Sequence, residues 1–292
     1  MGADLATLVV AGLSTGAIYG LIALGFNVIF KATDAINFAQ GEWVMMGGMV
    51  AAALYAGGRM PLLAACLGAV ALVAVVGLLS DLLVMRRLRA PTPLLITLVS
   101  VGLAIATKSL VMLTLGKNPA GLPAFSGEAP LRVGTLSVQP QTLWIVAVTA
   151  VVMVGAHLFF ARTTIGKAMR ASAAQPEAAS LVGIDPRASM LLSFGIAAAV
   201  GAIAGVIVTP ITLTSFDHGT MLGFKGFCAA MFGGLGSLPG AVAGGLVLGV
   251  LESVASGAIS SAFKDAVAFV VLLGVLFVRP SGLFGRGAIE RI

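Results

Sequence analysis

Polar side chains interrupt this chain only at wide intervals. Between them, apolar residues run for about twenty positions at a time, the length that crosses roughly 30 Å of hydrocarbon. Such runs occupy residues 5–30, 38–57, 61–85, 94–115, 141–160, 188–210, 240–258 and 262–279. A shorter, glycine-rich run at 220–236 contains Lys225 and fits either a ninth span or a broken, partly re-entrant segment. The pattern predicts an all-α, polytopic membrane helical bundle of about eight or nine transmembrane segments, forming one transmembrane domain over residues 1–292. The stretch 116–140 is too rich in proline and glycine for regular helix, and LRVGTLSV within it is suited to a small hairpin.

The longest polar interval, Arg162 to Arg187, reads RTTIGKAMRASAAQPEAASLVGIDPR. Proline suits a first helical position and glycine the left-handed residue after a helix end, so Pro176 and Gly183 bracket a helix of about two turns. Ala178, Leu181 and Val182 share one face of it, with Glu177 and Ser180 turned away. A short, capped, half-apolar helix between two spans is built to be gripped by a second protein.

Charge fixes the expected topology. Lys31, the Arg86, Arg87 and Arg89 cluster, the four cations of the 162–187 loop, and Arg279, Arg286 and Arg291 make eleven of the seventeen basic residues; placed together they define the cytoplasmic side. Arg59, Lys117, Arg132 and Lys264 then lie outside, and Lys108 and Lys225 within apolar runs. Alternation requires an external N-terminus, nine crossings and a cytoplasmic C-terminus. The first residues lack the basic region and cleavage pattern of a signal peptide, so they are expected to be kept as a span.

Composition agrees. Charged residues make up 10% of the chain and mean hydropathy is +1.09, whereas a soluble domain carries about 25% charged residues. The net charge of +6 sits in loops rather than on one face, which fits topology and not nucleic acid. Cys66 and Cys228 are isolated, so neither a disulfide framework nor a metal cluster is readable. Thirty-eight glycines allow spans to approach closely; in FGGLGSLPGAVAGGLVLGVLE at 232–252 their spacing fits either tight helix packing or the lining of a narrow path.

His157 and His218 stand alone, and no HExxH, CxxC, GxSxG or P-loop motif occurs. The chain is therefore expected to be a transport subunit and not an enzyme, with any uphill energy supplied by a partner or an ion gradient. Glu42, Lys108, Lys225 and Glu252 are the intramembrane ionisable residues that a gradient-driven secondary transporter or channel, the alternative reading, would use. Asn27, Asn37, Phe38, Gln40 and Glu42 surround a polar break between two apolar runs. They are candidates for the translocation pathway or a gate at the cytoplasmic mouth, against the plainer reading of a helix cap and wet turn.

Four segments, GLSTGAIYGLIALGFNVIF at 12–30, INFAQGEWVMMGG at 36–48, TTIGKAMRASAAQPEAASLVGID at 163–185 and the 232–252 stretch, together resemble the first permease subunit of branched-chain amino acid (Liv-type) ABC importers, in order and over nearly the whole chain. Members often have His where Gln40 stands, so residue 40 is not required as a titrating group here. The resemblance implies an ABC importer permease fold in a bacterial inner membrane. It also implies a second homologous permease subunit, two cytoplasmic ATPases that use ATP and Mg²⁺, a periplasmic binding protein, and no cofactor on this chain. It makes 163–185 the coupling loop, with Thr163, Gly166, Lys167, Arg170, Pro176, Glu177, Ala178, Leu181, Val182 and Gly183 as ATPase-coupling residues. Gly166 and Gly183 would permit its turns. The implied cargo is amino acids, chiefly branched-chain; relatives also carry urea, short amides and aromatic carboxylates.

Overall fold

In lipid a backbone must satisfy its own hydrogen bonds, so each long apolar run is expected to close into helix, and each does. The computed structural model describes residues 2–58, 60–89, 92–127, 129–133, 136–258, 264–279 and 282–285. Its helices are α1 (Gly2–Thr33), α2 (Gln40–Gly58), α3 (Leu62–Leu83), α4 (Pro93–Thr114), α5 (Pro140–Arg162), α6 (Thr164–Ala174), α7 (Pro176–Leu181), α8 (Pro186–Thr212), α9 (His218–Gly233), α10 (Leu238–Ala258) and α11 (Lys264–Val278). Leu131–Val133 (β1) and Leu136–Val138 (β2) pair antiparallel as the expected hairpin. By length and composition, six helices among the described residues suffice to cross a membrane: α1, α3, α4, α5, α8 and α10. The expected positions of Arg59, Arg286 and Arg291, and residues 262–263 of the last run, lie outside the described residues.

The centre of the bundle is α1, buried from Ala17 to Ile29, with α10, α8, α9 and α5 packed around it. Small residues allow this. A Cβ at Gly16 would stand 2.7 Å from the Gly245 carbonyl, and Gly245 and Gly249 in turn face the backbone of Gly20 and Gly16. The glycine-rich 232–252 stretch is thus a packing face, by which α10 meets α1 on one side and α9 on the other. The same device brings Gly47 and Gly205 to the α2–α8 contact and Gly77 to the α3–α8 contact. Close van der Waals approach of this kind holds helices together in lipid, where the surrounding tails are as apolar as the helices themselves.

Contacts sort the helix ends onto two faces. On one, Lys31 lies 6.0 Å over the Phe160 ring, Arg86 Nη2 donates to the Arg187 carbonyl at 3.3 Å, and Phe284 N donates to Gly233 O at 3.0 Å. The ends of α1, α3, α5 and α9, the start of α8 and the C-terminal segment therefore share a face that gathers the basic clusters, as charge counting expects of the cytoplasmic side. On the other, Ala120 pairs with Thr214 and Ser253 donates to the Leu8 carbonyl at 2.6 Å. The segment from Thr214 through α9 to Gly234 joins these two faces, although α9 itself has only 16 residues.

Candidate functional site

The polar break in the sequence becomes a short extended lead-in to α2. Asp34, at φ +55, turns the chain out of α1, and Ala35 to Ala39 run without helix. Irregular backbone at membrane depth must find partners inside the protein, and α4 supplies them: Ile36 N donates to Thr97 Oγ1 at 3.3 Å and Phe38 N to Ser100 Oγ at 2.9 Å. Asn37 Oδ1 accepts from Ala39 N at 3.1 Å. The helix resumes at Gln40, whose Nε2 donates to the Ala197 carbonyl of α8 at 3.0 Å. A Cβ at Gly25 would collide with the Gln40 amide, so glycine on α1 makes room for it. Asn27 donates to the Ala23 carbonyl at 3.2 Å and accepts from Gly236 N, tying α1 to the start of α10.

The five residues expected at a pathway or gate therefore divide. Asn27, Asn37 and Gln40 are fully buried and bonded to backbone groups; Asn37 and Gln40 fix the break in place, while Asn27 ties α1 to the approach to α10. Phe38 and Glu42 instead border a cavity of about 320 Å³ between the α2 lead-in, α4 and α9, with Val101, Ile105 and Lys108 on α4 and Phe224 on α9. Glu42 is 3% exposed; its Oε1 accepts from Thr220 Oγ1 at 2.8 Å, while its Oε2 has no hydrogen-bond partner among the described residues. The charge of Lys108 reaches Glu42, and its Nζ lies 5.8 Å from the Phe216 ring. In the turn before α9, Asp217 accepts from the Ser215 hydroxyl.

The other two intramembrane charges meet each other. Lys225 Nζ lies 3.2 Å from Glu252 Oε1 and 2.7 Å from Asp265 Oδ1, and Tyr19 donates to Glu252 Oε2 at 2.8 Å. This cluster ties α1, α9, α10 and α11 together.

At the face that gathers the basic clusters, the 162–187 interval forms two helices where the sequence announced one. Thr163 caps α6, its Oγ1 accepting from Gly166 N at 3.0 Å. Gly166 serves a close approach rather than a turn, since a Cβ there would strike the Phe159 carbonyl and Phe160 backbone at the end of α5. Met169 and Ser172 face inward while Lys167 and Arg170 are exposed. The second helix, α7, begins at Pro176 and ends as expected: Gly183 takes φ +83, Ile184 N donates to Ala179 O at 3.0 Å and Gly183 N to Ser180 O at 3.1 Å, the paired bonds of a Schellman cap. Ala179 anchors α7 against the bundle. Glu177 and Ala178 are exposed, and Leu181 and Val182 are 88% and 76% exposed.

Sequence reading missed Thr97, Ser100, Thr220 and Phe224. A signal existed for α4: Thr97, Ser100, Ala104 and Lys108 recur at three- and four-residue steps, which places them on one face of a helix.

A family model described as branched-chain amino acid transport system, permease component, matches residues 8–276. The high-affinity branched-chain amino acid transport permease LivH of Escherichia coli K12 is 32% identical, with 96% of each chain covered. BraD, the corresponding permease of Pseudomonas aeruginosa, is also 32% identical, over 97% of this chain and 96% of its own. Among solved structures, PsaBC from Streptococcus pneumoniae in complex with Fab aligns over 96% of this chain and 92% of its own, at 14% identity and a TM-score of 0.46.

Proposed function

The chain belongs to the branched-chain amino acid transport system permease family, and we propose that it forms one half of the membrane pathway of an ATP-binding-cassette importer. As a family member it is a multi-pass protein of the inner membrane and a transport subunit. On our reading residues 1–292 work as one permease domain. It pairs with a second, homologous permease subunit, and a periplasmic binding protein hands it amino acids, chiefly branched-chain. The chain binds no cofactor and has no catalytic role of its own; two cytoplasmic ATPases consume ATP and Mg²⁺.

The observation that carries this reading is α7. Two large apolar side chains, Leu181 and Val182, stand largely in solvent at the face that gathers the basic residues, at the end of a helix that starts on Pro176, closes in a Schellman cap and is seated by Ala179. An apolar face on a short, rigid helix fits insertion into a partner's groove. Movement of a gripped α7 passes to α6 and α8, which flank it directly, and through the α6 contact with α5 to the rest of the bundle. Lys167 and Arg170 flank this handle as charged contacts. The test is Leu181→Asp. ATP-driven leucine uptake is expected to fall to background and the ATPases to be lost on co-purification, while the chain still inserts in the membrane. Normal co-purification with the ATPases would overturn the coupling assignment.

A further inference from the structure

We propose that the cavity between the α2 lead-in, α4 and α9 is a selective site for a small zwitterionic α-amino acid with an apolar side chain, Glu42 taking its ammonium and Lys108 its carboxylate. The inference rests on the importer reading above and deepens it. An importer pathway need only pass what its binding protein delivers; this one carries a recognition site of its own.

Three observations converge. The first is an incomplete carboxylate. Glu42 is all but inaccessible, yet only one of its oxygens is bonded, by Thr220. Its carboxyl group occupies the space that a Cβ at Gly219 would fill, at 2.5 Å from Oε2. A buried acceptor left without a donor is costly, and an ammonium ion supplies the missing one. The second is a cation placed at the same cavity without an anion in contact: among the described residues neither Lys108 nor Glu42 forms an ion pair. The field of Lys108 reaches Glu42 and also Asp217, but Asp217 is already engaged by Ser215. Opposite charges that share a cavity without touching match a ligand bearing both. The third is the wall between and around them. Phe38, Ile105 and Phe224 offer carbon surface and no hydrogen-bonding side chain, so an aliphatic side chain is accepted and a polar one gains nothing. The volume, about 320 Å³, lies at the small end of the roughly 300–1,000 Å³ found for ligand pockets.

The arrangement also says what is disfavoured. An uncharged amide or urea satisfies neither charge. An amine or a carboxylic acid satisfies one and leaves the other unpaired.

The test is equilibrium binding of radiolabelled leucine to the purified assembled importer, permeases with ATPases, without the binding protein. Saturable binding is expected in wild type, with 4-methylpentanoate and 3-methylbutylamine competing at least about tenfold more weakly than leucine. Hydrogen bonds to charged groups set the scale for the variants: Glu42→Gln and Lys108→Gln should each weaken leucine binding by about tenfold to a hundredfold. Lys108→Arg, which keeps the cation, should stay close to wild type. Co-purification of each variant with the ATPases establishes that it has folded. Glu42→Gln and Lys108→Gln complexes that bind leucine as wild type does would overturn the proposal, as would absence of saturable binding in a preparation that imports leucine with ATP and its binding protein. A wild-type preparation incapable of ATP-driven import would instead overturn the importer reading itself.

Discussion

Two lysine–carboxylate pairs lie within the bundle, and they have opposite characters. Lys225 and Glu252 are in contact as an ion pair, with Asp265 also on the lysine and Tyr19 donating to the glutamate. Glu42 and Lys108 share a cavity wall without meeting, and one carboxylate oxygen is left unbonded. The residue types are the same and both pairs sit among apolar helices; what differs is closure. Where four helices converge on a pair, the charges neutralise one another and become structure. Where the chain breaks before α2 and a cavity opens between that break, α4 and α9, the charges remain available to something that enters.

The comparison can be broken at its structural end first. Lys225→Met would leave Glu252 and Asp265 with no cation between them, and removal of one partner from a buried pair costs about 3–5 kcal/mol. Thermal unfolding of the detergent-solubilised chain should show a large loss of stability; unchanged stability would mean that the cluster is not structural. Ser100→Ala is expected to cost less, about 1–3 kcal/mol for one buried amide left unpaired at Phe38. Loosening of the α2 lead-in should appear as faster hydrogen exchange at residues 36–40, and exchange equal to wild type would contradict the role given to α4. Glu42→Gln sharpens the contrast, because it keeps an acceptor for Thr220 and creates no new unpaired charge beyond Lys108. Its stability is expected to stay within about 1 kcal/mol of wild type although leucine binding falls; a loss as large as that of Lys225→Met would make the two pairs equivalent. Collapse of the proton gradient at constant ATP should have the smallest effect, leaving uptake largely intact, since the Lys225 cluster is read as structural and the stroke as coming from ATP. Strong inhibition would favour a gradient-driven transporter.

The helices were legible because lipid imposes one rule on the whole backbone, and polar residues mark where it is relaxed. The α7 handle was legible for the same reason: Pro176 and Gly183 have few other uses in a polar loop between spans. Helix α6 was not, because its inward face is only Gly166, Met169 and Ser172, too sparse to stand out from a loop. A break was legible at residues 31–36 from the polar residues there, but the structure places it at 34–39, with Lys31 to Thr33 still in α1 and Asn37 before the helix rather than in it. The long-range partners of the lead-in could not be read, since Ala197, which Gln40 bonds, and Thr97 and Ser100, which the Ile36 and Phe38 amides bond, lie more than fifty residues away in sequence. Gly166 shows a related limit: a glycine that ends a helix and one that admits a neighbouring backbone look alike until the neighbour is known. The cavity was least legible of all. Ile105 and Phe224 are what a lipid-facing or a core position would carry, and only the positions of α2 and α9 make them a wall.

The central claim is that an apolar handle on the cytoplasmic face receives the partner's stroke. It is tested most directly by placing a single cysteine at Leu181, with Cys66 and Cys228 replaced by serine, and labelling membrane vesicles with an impermeant thiol reagent. Labelling is expected only in inside-out vesicles and should be suppressed when the ATPases are bound. Labelling from the outer side, or labelling indifferent to the ATPases, would contradict the account.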